Sequence, residues 1–137
     1  MKNKIWILGP CSLEDENTFL ATFNHLSSIM TGREWYMKAS FDKANRTSLK
    51  GGRGPGLNYC LDVWRQLKKD NPDVKLLTDV HETHQVEKLA EVIDCVQIPA
   101  FLSRQTDLIV ECAKNFNKIN VKKGQWLGPN NLSLIHI

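Results

Sequence analysis

The sequence lacks the features that mark secreted, disulfide-bonded and membrane-spanning proteins. Its four cysteines, at positions 11, 60, 95 and 112, have no C-x-x-C spacing, and its first residues carry no signal-peptide pattern. We therefore expect no disulfide framework and a cytoplasmic location, where thiols stay reduced. No apolar run approaches the ~20 residues that a helix needs to cross a bilayer, so no membrane association is expected.

Two further absences narrow the class of protein. No G-x-G-x-x-G sequence follows the first apolar run, which argues against a dinucleotide-binding fold. No low-complexity segment or linker interrupts the 137 residues, a length that suits one ordinary domain. The formal net charge is only +3, which suits anionic small molecules and does not require a nucleic acid partner.

Short apolar runs alternate with segments in which apolar residues recur at helical spacing. The predicted strands are 5–8, 35–37, 74–78, 95–98 and 119–121, and the predicted helices are 13–30, 57–70, 86–93 and 108–116. We expect the first strand, Ile5 to Leu8, to be buried on both faces, and Ser12 to be the N-cap of the first helix. Strict alternation of this kind predicts an α/β fold with parallel strands.

Polar and reactive side chains collect at or just beyond the C-terminal ends of the predicted strands. They are Cys11, Lys38, Asp79, His81, Arg104 and Lys122. Functional groups gather at this end of the strands in open α/β sheets and in (β/α)8 barrels alike. The pattern therefore predicts a functional site at the carboxyl ends of the strands.

Residues 38–56, called here the cationic segment, carry the densest chemistry in the chain. Five cations (Lys38, Lys43, Arg46, Lys50 and Arg53) are interspersed with hydroxyl, amide and carboxylate side chains, and four glycines and a proline follow. Cations, hydroxyls and approachable backbone N–H groups suit a phosphorylated, hydroxylated small molecule. On chemistry alone, a solvated surface loop is an equal alternative.

Several motifs of this chain occur in the same order in a known enzyme family. They are G-P-C-S-L-E at 9–14, K-A-S-F-D-K-A-N-R-T-S at 38–48, R-G-P-G-L at 53–57, T-D-V-H-E at 78–82, Q-I-P-A-F-L-S-R-Q-T-D-L at 97–108 and N-V-K-K-G-Q at 120–125. Together they resemble 3-deoxy-D-manno-octulosonate 8-phosphate synthase (KDO8P synthase). The resemblance implies a cytoplasmic, homotetrameric transferase of lipopolysaccharide biosynthesis that condenses phosphoenolpyruvate with arabinose 5-phosphate.

The resemblance also implies a (β/α)8 (TIM) barrel, which usually needs about 250 residues. The chain is therefore expected to hold strands one to five of an unclosed barrel, the N-terminal half of such an enzyme, and to be inactive by itself. Residues 132–137 resemble a translated sequencing adapter, so we predict a non-native tail there and synthase sequence over 1–131.

The family's functional positions match residues of this chain. The matching catalytic candidates are Lys43, Asp79, His81, Arg104 and Lys122, and the matching substrate-binding candidates are Lys38, Asp42, Asn45, Arg46, Thr47, Ser48, Arg53, Gln97 and Ala100. The resemblance implies that Lys43, Arg104 and Lys122 bind phosphoenolpyruvate and that Lys38, Asn45, Arg46 and Thr47 bind arabinose 5-phosphate. Thr47 stands where the family usually has Ser, and L-K-G-G at 49–52 replaces a segment that usually contains an aromatic residue. For His81, a structural role at a helix start remains open beside a catalytic one.

Cys11 decides the subclass that the resemblance implies. By itself, a single cysteine is most often a small core residue. The G-P-C context resembles the metal-dependent branch of the family, in which this cysteine binds a divalent cation whose identity the sequence leaves open. The other expected ligands, a His, a Glu and an Asp, would lie beyond this chain, while the remaining three cysteines are predicted core residues.

Two other functions are alternatives to this one, namely a related synthase and a non-catalytic binding module. The related 3-deoxy-D-arabino-heptulosonate 7-phosphate synthases share G-P-C-S but typically carry K-P-R-T-S in place of K-A-S-F-D-K-A-N-R. A non-catalytic module that binds RNA or other anions could also use the cationic segment. RNA binding normally pairs cations with exposed aromatic residues, whereas Trp6, Trp35 and Trp64 fall in predicted strands or on an apolar helix face.

Overall fold

The computed structural model describes residues 4–131 and divides the chain into two compact units, Met1–Thr78 and Asp79–Ile137. The predicted tail at 132–137 lies outside the described residues. No helix within residues 4–131 is both long enough and apolar enough to cross a membrane.

The first unit alternates strands and helices as the sequence predicts. Its elements are β1 (Trp6–Leu8), α1 (Glu16–Ile29), β2 (Trp35–Lys38), α2 (Leu57–Asp70) and β3 (Leu76–Asp79), of which the last residue already belongs to the second unit. β2 pairs in parallel with β1 on one side and with β3 on the other. The cationic segment therefore begins at the carboxyl end of the middle strand of this unit.

The second unit continues the alternation. It contains a 3₁₀ turn (Thr83–Gln85), α3 (Val86–Ala90), β4 (Cys95–Ile98), a second 3₁₀ turn (Ala100–Leu102), α4 (Thr106–Asn115) and β5 (Ile119–Val121). β4 and β5 are parallel, with Gln97 directly opposite Asn120. The α/β class and the parallel strands are thus confirmed, and the five described strands compare with eight in a complete (β/α)8 barrel.

The apolar positions that define the predicted elements form the core. On α2, Cys60, Leu61, Trp64 and Leu67 are all buried, as expected for one face of a helix with 3.6 residues per turn. All four residues of β4 are buried, which is typical of a parallel strand covered on both faces. This packing holds the strand ends, and the polar residues that follow them, in place.

The prediction that the first strand is buried on both faces is wrong. Trp6 is 43% exposed and Ile7 is 38% exposed. Because successive side chains of a strand point to opposite faces, neither face of β1 is fully covered by the described residues. An apolar run alone identifies a strand, but burial also requires an element packed on each side.

The predicted N-cap of the first helix is also wrong. The cap is Asp15, whose carboxylate accepts a hydrogen bond of 2.7 Å from the backbone N–H of Thr18. This interaction with Thr18 lowers the pKa of Asp15. The Ser12 hydroxyl instead donates to the carbonyl of Ser40 at 3.2 Å, in an isolated bridge beyond the ends of β1 and β2.

Candidate functional site

A close backbone approach joins the carboxyl ends of β1 and β2. Gly9 has a φ of 143°, and a Cβ atom there would lie 2.1 Å from the carbonyl oxygen of Lys38. Only glycine fits such a contact without moving one of the two backbones. The first glycine of the G-P-C-S motif thus brings Cys11 and Ser12 beside the start of the cationic segment.

Cys11 and Lys43 contact each other in this region. The Nζ of Lys43 lies 2.6 Å from the Sγ of Cys11 and also donates to the Cys11 carbonyl oxygen. Cys11 is exposed, unlike the other three cysteines. The structure therefore brings together the predicted metal ligand and one of the predicted phosphoenolpyruvate ligands.

The cationic segment is closed at its base by a set of contacts that we call the neck, formed by residues 41–43 and 53–56. The Arg53 guanidinium makes two hydrogen bonds to the carboxylate of Asp42, one of them 2.6 Å long. The Gly56 N–H donates to the Phe41 carbonyl at 3.1 Å, and the Lys43 N–H donates to the Arg53 carbonyl. Asp42 and Arg53 thus hold the segment together, and their contact with substrate remains a prediction.

Beyond the neck, the cationic segment folds into turns that are exposed to solvent. The Nε of Arg46 donates to the Gly52 carbonyl at 2.9 Å, and the Ser48 hydroxyl accepts from the Lys50 N–H at 3.2 Å. Asn45 and Thr47 are exposed. The sugar-binding candidates therefore share one exposed turn region, while Lys38 is half-buried at the end of β2.

In the second unit, three polar side chains form a chain of hydrogen bonds at the strand ends. Asp79 accepts from the side-chain amide of Gln97, whose Oε1 accepts from Asn120 at 2.7 Å. Asp79 and Gln97 are both buried. Asp79 and Gln97 are predicted site residues, whereas Asn120 is not, although the N-V-K-K-G-Q motif begins with it.

His81 follows β3 in a turn that starts the next helical segment. The backbone N–H groups of His81 and Glu82 donate to Oε1 of Gln85 at 3.0 and 3.1 Å, and Glu82 and Gln85 form a capping box. The T-D-V-H-E motif therefore has a structural role at a helix start, and a catalytic role for His81 remains a prediction.

The remaining candidates of the second unit lie beyond the ends of β4 and β5. Ala100 opens the second 3₁₀ turn, and Arg104 is exposed just after it. Lys122 is exposed, and its backbone N–H donates to the Ile98 carbonyl at 3.0 Å, which extends the β4–β5 pairing. Both cations are thus held by backbone structure with their side chains accessible to an anion.

The other three cysteines lie in the core. Burial raises the pKa of the Cys60 thiol to about 12 and that of Cys112 to about 11, and it also raises the pKa of Cys95. These thiols stay protonated at neutral pH, so their prediction as core residues is confirmed.

Cys11 fits one position of a metal site. Its thiol is exposed and is a soft donor, which Zn²⁺ and similar divalent ions accept. Among residues 4–131, no group of three or more His, Cys, Asp and Glu side chains could hold a metal ion. The described residues therefore supply no three-donor metal site, and the Cys11 sulfur contacts the Lys43 ammonium group.

Comparison with known proteins identifies the family. The model of a family described as "DAHP synthetase I family" matches residues 2–136. This match covers nearly the whole chain, and the chain therefore belongs to that family.

Curated relatives share one name. The chain is 49% identical over 131 residues to a Wolinella succinogenes protein, covering 94% of this chain and 49% of that protein. It is 47% identical to a Campylobacter jejuni protein, and the match covers 96% of this chain and 49% of that protein. It is 45% identical to a Helicobacter hepaticus protein, and the match covers 93% of this chain and 48% of that protein. All three are named 2-dehydro-3-deoxyphosphooctonate aldolase, a synonym of KDO8P synthase, which confirms the resemblance. The chain spans about half the length of these relatives.

Proposed function

We propose that the protein containing this chain condenses phosphoenolpyruvate with arabinose 5-phosphate and water to give 3-deoxy-D-manno-octulosonate 8-phosphate and inorganic phosphate. The observation that carries the proposal is the shared name of relatives that are 45–49% identical over at least 93% of the chain. The K-A-S-F-D-K-A-N-R segment favours this enzyme over 3-deoxy-D-arabino-heptulosonate 7-phosphate (DAHP) synthase, the enzyme after which the family is named.

The chemistry requires anion binding on both substrates. C3 of phosphoenolpyruvate attacks the sugar aldehyde carbon while the oxygen of water adds at C2, and the resulting hemiketal phosphate collapses and releases phosphate. We assign Lys43, Arg104 and Lys122 to the anionic groups of phosphoenolpyruvate, and we assign Lys38, Asn45, Arg46 and Thr47 to arabinose 5-phosphate. Positively charged groups that are already in place lower the barrier because they stabilise charge as it develops in the transition state.

The contacts of these residues support a separate role for each of them. Lys43 and Arg46 belong to the same folded segment, so one loop would contribute to both substrates. Asp42 pairs with Arg53 at the neck, so we assign it to holding the segment in place. Ala100, Ser48 and His81 would line the substrates, and Asp79 would act through Gln97.

Cys11 would be one ligand of a divalent cation whose remaining ligands lie outside this chain. Such an ion, when bound, polarises a carbonyl group or positions water. We further infer that the enzyme is a cytoplasmic homotetramer of lipopolysaccharide biosynthesis, as the family resemblance implies.

The test is a substrate comparison with the protein extended to the length of its relatives. Phosphate release and product mass should be measured with phosphoenolpyruvate and either arabinose 5-phosphate or erythrose 4-phosphate. We expect turnover with arabinose 5-phosphate. A preference for erythrose 4-phosphate would replace the proposal with the heptulosonate synthase, and turnover with neither sugar would reject both.

A further inference from the structure

Buried polar side chains of the second unit are connected in a fixed order. The amide nitrogen of Gln97 donates to Asp79, and the amide nitrogen of Asn120 donates to the oxygen of Gln97 at 2.7 Å. Gln97 is 5% exposed and Asp79 is 9% exposed, so water can do little to replace these bonds. Each partner is therefore costly to lose.

The order of donors and acceptors follows from the chemistry of Asp79. Gln97 turns its NH₂ group towards Asp79, whose carboxylate oxygen accepts the hydrogen bond. Its oxygen then faces Asn120, which must turn its own NH₂ group towards Gln97. Rotating the Gln97 amide by 180° would place acceptor against acceptor on one side and donor against donor on the other.

One N–H of Gln97 remains after Asp79 has used the other. A buried N–H that is held in one orientation makes a strong, charge-assisted hydrogen bond with an anionic oxygen. Lys122, two residues beyond Asn120 on the same strand end, is an exposed cation that suits the same ligand.

We propose that Asn120 is a positioning residue that fixes the Gln97 amide so that its second N–H donates to an anionic oxygen of phosphoenolpyruvate. This inference rests on the proposed function for the identity of the ligand. Asn120 itself does not contact the substrate. Its effect is transmitted through the orientation of the Gln97 amide.

The test reverses the polarity of the hydrogen-bond chain with nearly isosteric substitutions. Asn120→Asp places carboxylates on both sides of Gln97, so its oxygen faces an acceptor whichever way it turns. Asn117→Asp is the matched control, because it makes the same change at an exposed position of the same unit, outside the hydrogen-bond chain. The double variant Asp79→Asn/Asn120→Asp restores both hydrogen bonds of Gln97 but requires its amide to be reversed.

Two quantities should be measured for the full chain and each variant: the midpoint of thermal unfolding and the Kd for phosphoenolpyruvate by calorimetry. We expect Asn120→Asp to lower the midpoint and to weaken binding about tenfold or more, the effect of losing one charge-assisted hydrogen bond. Asn117→Asp should bind like the wild type. The double variant should recover the midpoint but not the affinity.

Three outcomes would overturn the proposal. Wild-type affinity in Asn120→Asp would show that the amide orientation is irrelevant, and recovered affinity in the double variant would show that Asn120 has only a structural role. Equally weak binding by Asn117→Asp would show that the added negative charge, not the orientation of the Gln97 amide, controls binding. If the wild type does not bind phosphoenolpyruvate, the proposed function and the named ligand fail, while the unfolding midpoints still test the order of donors and acceptors.

Discussion

The neck of the cationic segment should depend on one glycine and tolerate change at another. Gly54 has a φ of 118°, and a Cβ atom there would lie 2.6 Å from the carbonyl oxygen of Phe41. Gly52, two residues earlier and just before the R-G-P-G motif, has no heavy atom other than those of its chain neighbours within 4 Å of the equivalent position. The substitutions Gly54→Ala and Gly52→Ala therefore add the same methyl group in opposite environments.

The expected changes in the free energy of unfolding follow from these two environments. A non-glycine residue in the left-handed region costs about 1–3 kcal/mol, and the contact with Phe41 adds to that cost because one backbone must shift. We expect Gly54→Ala to lower the free energy of unfolding by about 2–3 kcal/mol, or the Tm by roughly 6–12 °C in a chain of this size. Gly52→Ala should be neutral or stabilising by up to about 1 kcal/mol, because alanine restricts the unfolded chain.

Thermal unfolding and limited trypsin digestion together cover both ways in which the strain can be relieved. If the strain destabilises the whole unit, the Tm falls. If the neck opens locally instead, the Tm changes little, but cleavage after Arg46 and Lys50 in the exposed turns becomes faster. Gly54→Ala behaving like Gly52→Ala in both assays would refute the described neck.

Three further predictions concern the candidate site and the core. Arg46→Ala, in the protein extended to full length, should raise the KM for arabinose 5-phosphate by roughly tenfold or more and that for phosphoenolpyruvate less; equal changes would mean that the sugar assignment is wrong. The raised pKa values of Cys60 and Cys112 stabilise the fold fully below the unfolded thiol pKa, near 8.5, and this stabilisation should be lost as pH rises from there towards 11–12. Stability that is flat over this range in a Cys60→Ala/Cys112→Ala variant, but falling in the wild type, would be the confirming result. Lys43→Met should strengthen Co²⁺ binding at Cys11, seen as thiolate-to-cobalt absorption, because it removes a cation that contacts the same sulfur; unchanged binding would mean that the contact does not compete with metal.

The strands and helices that follow from local hydrophobic patterns agree well with the sequence-based predictions. β4 and β5 have the predicted bounds, and the buried face of α2 contains the predicted residues. These features depend on residues close together in sequence, where the periods of 3.6 and 2 can be counted directly. The exposure of β1 could not be predicted in this way, since it depends on which elements pack against the strand.

The contacts of the candidate site depend on register, which the sequence does not display. Gln97 meets Asn120 because β4 and β5 pair with these two residues directly opposite each other. A slip of one residue would place Ile119 or Val121 there and remove the hydrogen bond. The motifs therefore predict Gln97 as a candidate site residue, whereas its partner is evident only from the strand pairing.

The charge balance of the cationic segment argues for a ligand that carries more than one negative charge. Residues 38–56 contain five cations and a single acid, Asp42, whose carboxylate is already paired with Arg53. Lys43 and Arg46 contact a thiol and carbonyl oxygens, which carry at most partial charge when the thiol is protonated. Exposure to water keeps the mutual repulsion among these cations small. A phosphate ester brings nearly two negative charges, so the binding of two phosphorylated substrates would match the excess of cations over acids within this segment.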